Sequence, residues 1–315
     1  MITKTSTKMF QSAADNSKLL VAWALFFFIS STSSVTHGQD AEKFRWKLNA
    51  GDEFTVQLVQ DTKIKSNIDQ RVQEMANKMT LDMDWKVTDV NDDNTATIAQ
   101  TITRIRLQIV TPNEGGSQTI AVDTQDTSRQ KELAKRLHKQ VIALIDTKYN
   151  VSMSDRGGLL GVEIPKASLE ALRGAPSSLQ LRKVLTEDGL KDLFGQSAIV
   201  FPENELAKGD DWDSTAKVEN SLGVFEKKNV YKYAGPENGS HRFNIATELN
   251  QTADGKAGSK VISFAGSGQL MFNVDAGHVT ESTITNKMNT ENNSYKETTI
   301  NTVIDSKVSM KVNRK

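Results

Sequence analysis

The residues best spaced for metal chemistry in this 315-residue chain follow a predicted strand. Asp89, Asn91 and Asp93 occupy the first, third and fifth positions of a calcium-loop spacing. The sixth position is Asn94 where such loops have glycine, and the twelfth is Gln100, whose neutral amide cannot act as a bidentate carboxylate. A plain hairpin turn therefore explains the segment better than a calcium site.

Carboxylates elsewhere leave one catalytic alternative open. A pair of them at the correct separation could act as acid and base on a sugar. Asp82 and Asp84 alternate with apolar residues, however, which is typical of the solvated face of a strand. The acidic cluster at residues 209–213 is likewise better explained as a turn than as a calcium site.

Histidine and serine patterns indicate no active site. His138, His241 and His278 are far apart and lack the paired spacing of metal-binding helices or strands. Ser214 and Lys217 have the spacing of a serine–lysine pair, but residues three apart in a strand face opposite sides. The nucleophile-elbow and phosphate-loop patterns are missing. We therefore predict no catalytic residues, no metal ligands and no cofactor.

Composition excludes further classes of function. The chain has no cysteine, so disulfides, thiolate metal sites and thiol catalysis are excluded. Its 39 basic residues balance its 39 acidic ones, which argues against nucleic acid as a partner. With 37% hydrophobic residues, the chain is polar but apolar enough to fold.

Most of the chain has the period of β-strands. Apolar and polar residues alternate strictly over residues 79–87, and the turn-rich residues 91–94 then predict a hairpin. On the returning strand the apolar residues occupy even-numbered positions up to Ile102 and odd-numbered positions from Ile105. This change of parity predicts a bulge near Thr103. Two further amphipathic strands are predicted, at residues 54–64 and 300–312.

One segment has helical spacing instead. Apolar residues recur at three and four places over residues 133–145, which predicts a helix near 128–147. Shorter helices make residues 166–200 a helical connector. The connector separates an N-terminal β-rich half, residues 39–165, from a C-terminal β-rich half, residues 201–315.

The two β-rich halves share short matching motifs in the same order. Each half opens a strand with a Gly-Asp turn before an aromatic residue, and later motifs match as well. The matches are residues 48–54 with 206–212, 85–98 with 231–245, and 153–157 with 272–277. Chance is the alternative to internal duplication. The predicted fold class is α+β, mainly antiparallel β, with two halves forming curved sheets or half-barrels and helices inserted.

The order of these motifs resembles that of a family of exported bacterial β-rich proteins known only as a domain of unknown function. The residues that carry the resemblance are Trp46, Gly51-Asp52, Trp85, Asp155 with Gly157, Phe201-Pro202, Gly209-Asp210 and Trp212. It implies an exported protein with tandem halves of Gly-Asp-x-Trp or Gly-Asp-x-Phe type. It implies no activity and no site residues.

The first 38 residues have the layout of an export signal. Lysines precede an apolar run at residues 19–29, and small polar residues follow up to Gly38. The run is shorter than the roughly 20 residues that span a bilayer. We predict a signal peptide at residues 1–38, cleaved before Gln39, that leaves no stable membrane anchor. An uncleaved signal anchor is the alternative. The expected location is periplasmic or extracellular.

Binding is the class of function that these observations favour. Curved amphipathic strands can hold an apolar ligand, as open barrels do. Adaptable side chains predicted to line such a site are Met79, Met83, Trp85, Met153, Met271 and Phe272. An ordinary core position is the alternative for each of them.

We predict an exported, non-catalytic binding or carrier protein of the bacterial cell envelope. Its expected partner is an apolar small molecule or an envelope protein, and its ligand is not identified by the sequence. A structural or interaction protein of the envelope is one alternative. A carboxylate- or metal-dependent hydrolase is the other.

Overall fold

Long antiparallel strands dominate the structure, a computed structural model. It describes residues 41–68, 71–113, 116–126, 132–146, 148–166, 170, 199–220, 223–254, 260–293 and 299–315. The predicted signal peptide and most of the predicted helical connector lie outside the described residues. Mainly antiparallel β structure, as predicted, is confirmed.

Twelve strands form one open, curved sheet. They are β1 (Glu53–Ile68), β2 (Arg71–Val90), β3 (Ala96–Asn113), β4 (Gly116–Asp123), β5 (Lys148–Met153), β6 (Leu159–Glu163), β7 (Asp211–Asn220), β8 (Gly223–Glu237), β9 (Ser240–Asp254), β10 (Lys260–Asn273), β11 (His278–Asn293) and β12 (Thr299–Arg314). The spatial order is β6-β5-β3-β2-β1-β12-β11-β10-β9-β8-β7. Strand β4 lies outside this order and pairs with the C-terminal part of β3, residues 106–113.

The first and last strands join the sheet in its middle. β1 pairs antiparallel with β12, from Phe54 opposite Arg314 to Asn67 opposite Asn301. Because of this pairing, the strands before and after the connector belong to one continuous sheet rather than to two separate ones.

The predicted hairpin and bulge are both present. β2 ends at Val90 and β3 begins at Ala96, with a turn between them. Across the two strands Asp82 pairs with Arg104 but Met83 pairs with Ile102, so the residue between, Thr103, is extra. The bulge returns the apolar residues of β3 to one face.

Helix α1 (Glu132–Val141) and a 3-10 turn (Ile142–Leu144) follow β4. The helix predicted near residues 128–147 is confirmed over these bounds. Its buried residues Ala134, Leu137 and Val141 belong to the core, and the helix packs against β4. Among the described residues α1 is the one α-helix whose bounds are defined, and Lys166 and Glu170 are also helical, so mainly β describes these residues better than α+β.

One face of the sheet is buried most continuously at one end, although Phe225 and Thr290 are buried toward the other end. Along β1 the residues Phe54, Val56 and Leu58 are buried, whereas the residues between them are exposed or half-buried. We call the face of Phe54 the inner face, its opposite the outer face, and this end of the strands the near end. Two segments cover the near end: the N-terminal strap, residues 41–50, and the connecting strap, residues 199–210.

Candidate functional site

Aromatic side chains fill the near end of the inner face. Phe44, on the N-terminal strap, is only 1% exposed. Its ring centroid lies 5.0 to 6.1 Å from those of Phe201, Tyr233, His241, Phe243 and Phe272. The two straps also pair with each other, because Glu42 and Leu206 exchange two backbone hydrogen bonds of 2.9 Å. These rings and the paired straps therefore form a closely packed core at the near end.

The N-terminal strap fastens two distant turns. The backbone N–H of Trp46 donates to the backbone carbonyl of Asp155, which lies between β5 and β6, at 2.6 Å. The Lys47 N–H donates to the carbonyl of Gly277, between β10 and β11, at 2.8 Å. Gly277 has a φ of +65°, and a Cβ there would lie 2.2 Å from that of Lys47. Only glycine allows this close approach.

The structure places the residues predicted to line an apolar site in two environments, the buried core and the outer face. Five of them are buried in the core cluster: Met79, Met83, Trp85, Met153 and Phe272. Met271 lies between the buried Leu270 and Phe272 and therefore faces the outer side. Met153 also lines a polar cavity of about 290 Å³ beneath the N-terminal strap.

Among the described residues, the far end of the inner face is less completely buried than the near end. Five apolar residues lie there in register across neighbouring strands, and we call them the open row: Met75, Ile64, Ile304, Met288 and Phe264. Met75 is 42% exposed, and the other four are half-buried. Helix α1 packs at β4 rather than over this row. The row spans roughly 19 Å, because adjacent strands lie about 4.8 Å apart.

Uncharged polar residues flank the open row on both sides. Toward the near end, six polar residues and one glycine form a row across seven strands, which we call the polar row: Asn77, Thr62, Ser306, Asn286, Gly266, Thr247 and Asn229. On the other side Ser66 and Thr302 face each other with 3.0 Å between their hydroxyl oxygens. The Oδ1 of Asn286 is buried without a hydrogen-bond partner among the described residues.

In the five strands that carry the open row, charged residues lie on the outer face except at two strand ends. On β1, Asp61, Lys63 and Lys65 face outward, and on β12 so do Asp305 and Lys307. The inner positions between them are serine, threonine and isoleucine. In β2, β1, β12, β11 and β10 the inner face carries charge only at two strand ends, Arg71 and Arg314.

Apolar alternation in the sequence does not predict the open row and the polar residues beside it. Polar residues such as Thr62 and Ser66 interrupt the apolar period, so the far parts of the strands do not appear amphipathic. A different period is present throughout, because charged residues alternate with uncharged ones along residues 61–66. Counting charge rather than hydropathy at every second residue would have found the surface.

Two inner-face glycines of β10 shape the sheet beside the open row. A Cβ on Gly266 would lie 2.7 Å from both Asn286 Oδ1 and Thr247 Cβ. A Cβ on Gly268 would lie 2.5 Å from the carbonyl oxygen of Thr283 on the next strand. Both glycines therefore permit a close approach of neighbouring strands at this point.

A cavity of about 420 Å³ lies where β2, β3 and β4 meet, and charged side chains border it. Arg106 donates to both carboxylate oxygens of Asp82 at 2.7 Å. Arg104 makes two hydrogen bonds to Asp123, and this partner holds the pKa of the Asp123 carboxyl below its usual value. The ion pairs stabilise the bulged segment of β3.

Titratable groups meet at one point of the near end. The Nδ1 of His241 lies 2.6 Å from Tyr233 Oη and 3.3 Å from Glu42 Oε2. Burial raises the pKa of the Tyr233 phenol, and the Glu42 carboxylate adds to the shift. Aromatic rings pack against this group, so it ties the N-terminal strap to the sheet.

The candidate metal and catalytic residues are not brought together. In the hairpin turn, Asp93 Oδ1 accepts the Thr95 N–H at 3.0 Å. His138, His241 and His278 lie on separate elements, α1, β9 and β11. Across the part of the chain that the structure describes, no three His, Asp or Glu side chains are grouped as metal ligands.

The residues that the structure describes contain no helix long and apolar enough to cross a bilayer.

A protein-family comparison matches more than half of the chain. The model described as "Family of unknown function (DUF6263)" covers residues 93–278. No curated protein matches the sequence.

The solved structures that match the chain share little sequence with it. A structure titled "Lipid-protein interactions in lipovitellin" is 11% identical, with a TM-score of 0.47, and the match covers 85% of this chain and 25% of that one. An outer membrane channel from Pseudomonas putida F1 is 7% identical, with a TM-score of 0.25, 85% of this chain and 97% of that one being covered. The translocator domain of the autotransporter NalP from Neisseria meningitidis is 8% identical, with a TM-score of 0.15, 84% of this chain and 90% of that one being covered. The chain thus spans about a quarter of the lipovitellin chain.

Proposed function

We propose that this chain, which belongs to the DUF6263 family of unknown function, is an exported, non-catalytic binding or carrier protein of the bacterial cell envelope. Its ligand would lie on the far end of the inner face. The observation that carries the proposal is the open row, whose five apolar residues continue the core face beyond the straps. Exposed apolar rows of this kind favour an apolar partner, because water solvates them poorly.

Native mass spectrometry of the protein purified from its own host tests this function. The expected spectrum contains a mass above that of the chain, and it is lost when the solvent is made more organic. A spectrum of the bare chain alone, together with no uptake of added apolar compounds, would contradict the carrier role.

Export is the second part of the proposal, and the N-terminal segment of the sequence supports it. If residues 1–38 are a cleaved signal, protein recovered outside the cytoplasm begins at Gln39. N-terminal sequencing of that fraction checks this. The N-terminal strap would then begin only two residues after the new terminus.

Internal duplication is the third part, supported by matching registers. Phe54 pairs with Trp85 as Trp212 pairs with Tyr231. The hairpins that follow carry their bulges at matching places, after Val87 and after Tyr233. A common ancestral unit accounts for both observations.

An interaction role at the sheet edges is the second candidate function. Among the described strands, β6 and β7 are the two ends of the sheet order, each paired on one side, and Leu160 on β6 is 60% exposed. Unpaired edges are templates for strand addition. Crosslinking in cells that recovers a partner through β6 would favour this candidate over the carrier role.

A further inference from the structure

Of the two strands at the ends of the described sheet, β7 is the longer. It pairs with β8 over residues 211–220 without a bulge. The other end strand, β6, has only five residues and a register shift against β5, and Pro165 follows it closely. Short length, bulges and proline keep a sheet edge from pairing with further strands. Along its described residues β7 has none of these devices.

The side of β7 that faces away from β8, which we call the β7 edge, is accessible over residues 211–217. Five of these seven residues are exposed, and Trp212 and Ser214 are half-buried. The accessible stretch is roughly 23 Å long, since a strand rises about 3.3 Å per residue. Its backbone N–H and carbonyl groups on this side can therefore pair with another strand.

Opposite charges lie at the two ends of this stretch. Asp211 and Lys217 are six residues apart, so both face the outer side, and both are exposed. On β8, Lys232 lies opposite Asp211 and Glu226 lies opposite Lys217. The outer face of this hairpin thus pairs unlike charges at each end, with the signs reversed between the ends.

A second copy of the chain fits these charges when its β7 runs antiparallel to the first. If Ser214 lies opposite Ser214 of the second copy, Asp211 of each copy lies opposite Lys217 of the other. At both ends the charges then alternate in sign across four strands: Lys232, Asp211, Lys217 and Glu226. Cross-strand pairs of opposite charge stabilise a sheet, and like charges placed opposite each other destabilise it.

The neighbouring registers place like charges opposite each other. A register centred on Asp213 places this carboxylate opposite that of the second copy. A register centred on Thr215 places Asp211 opposite Glu219, and one centred on Ala216 places Asp213 opposite Glu219. Registers centred between two residues would put the inner face of one copy on the outer side of the other. Charge complementarity therefore selects a single symmetric register.

We propose that two copies of this chain associate through the β7 edge, antiparallel and centred on Ser214, so that their sheets join. Both copies contribute the same edge, so the interface closes as a dimer and leaves no β7 edge for a third copy. The proposal goes beyond the binding function of the inner face and does not depend on it.

Charge reversal tests the partner and the edge. Sedimentation equilibrium from about 1 to about 200 µM measures the dimer of the purified protein. Asp211→Lys and Lys217→Asp should each weaken it about tenfold or more, because two pairs of opposite charge become pairs of like charge. The double variant should regain most of the affinity. Glu163→Lys on β6 is the control and should leave the dimer unchanged.

Three results would overturn the proposal. One is a wild-type protein that stays monomeric over this range, and another is a double variant that dimerises no better than the single ones. The third is a dimer that Glu163→Lys weakens and the β7 variants do not, since its interface would then lie at β6. None of these results bears on binding at the inner face.

Cysteine substitutions test the register directly, because the chain has no cysteine of its own. Asp211→Cys mixed with Lys217→Cys should form a disulfide-linked dimer on mild oxidation, since opposite residues of paired strands lie about 5 Å apart. Either variant alone should not crosslink, because its two cysteines would be six residues apart, about 20 Å. A mixture that crosslinks no more than the separate variants would overturn the proposed pairing.

Discussion

Asp52 and Asp210 close two turns with the same hydrogen bond. The Oδ2 of Asp52 accepts the Asn49 N–H, and the Oδ2 of Asp210 accepts the Ala207 N–H, both at 2.8 Å. The glycine before each aspartate has a positive φ, +94° in one turn and +101° in the other. Two copies of one ancestral unit are expected to have the same turn conformation at matching positions, as these two turns do.

Replacing either aspartate tests this equivalence. We expect Asp52→Ala and Asp210→Ala each to lower the free energy of unfolding by about 1 kcal/mol, because each exposes an unsatisfied N–H at a tight turn. Asp52→Ala should cost somewhat more, since Asp52 also pairs with Arg314. Urea unfolding measures both values, and a neutral Asp210→Ala would show that the two turns are not equivalent.

Phe44 fastens the N-terminal strap. Because it is almost fully buried among five rings, Phe44→Ala should lower the free energy of unfolding by about 3–5 kcal/mol. Its exposed neighbour Lys43 provides the control, and Lys43→Ala should change stability by less than about 0.5 kcal/mol. Similar small effects of both variants would mean that the strap is not part of the core.

His278 makes stability depend on pH. It is 4% exposed, and burial lowers its pKa from the usual value near 6.5; Arg314 contributes to the shift, while Asp52 and the Ala276 carbonyl oppose it. The unfolded chain therefore binds the proton more readily than the folded one. The stabilising contribution is complete above pH 6.5 and is lost as the pH falls below it.

Urea unfolding at about pH 7.5 and about pH 5.5 checks this dependence. We expect the wild-type protein to be less stable at the lower pH. His278→Gln should show a smaller difference between the two pH values, whatever its own stability. An unchanged difference in the variant would assign the dependence to other groups.

Gly268 marks where β10 and β11 approach closely. Gly268→Ala should destabilise the protein by about 1–3 kcal/mol, because the new Cβ would meet a backbone oxygen that cannot rotate away. Gly161 on the edge strand β6 is the control, since a Cβ there meets nothing within 4 Å. Thermal unfolding compares the two, and a stable Gly268→Ala protein would contradict the close approach.

Local features of the sheet were predictable from the sequence because they depend on neighbouring residues. The parity change between Ile102 and Ile105 predicted the bulge at Thr103, and the structure places it there. The helix followed from apolar spacing of three and four. Such signals need no knowledge of which strands pair.

Pairing between distant strands was not predictable in the same way. The contact of β1 with β12 joins residues about 250 positions apart, and no local pattern sets its register. The open row arises only from that register, since Ile64 meets Ile304 across it. Met271 was misplaced because both Leu270 and Met271 fit the apolar pattern, and only the pairing decides which faces inward.

The most direct test of the binding surface uses two exposed apolar residues of β2. Met75 lies in the open row and is 42% exposed, whereas Val72 faces the outer side and is 56% exposed. Titration with Nile red should show that Met75→Lys lowers dye affinity by about tenfold or more, because a charge enters the apolar row. Val72→Lys should bind dye as the wild-type protein does. Equal affinity of Met75→Lys and Val72→Lys would contradict binding at the inner face.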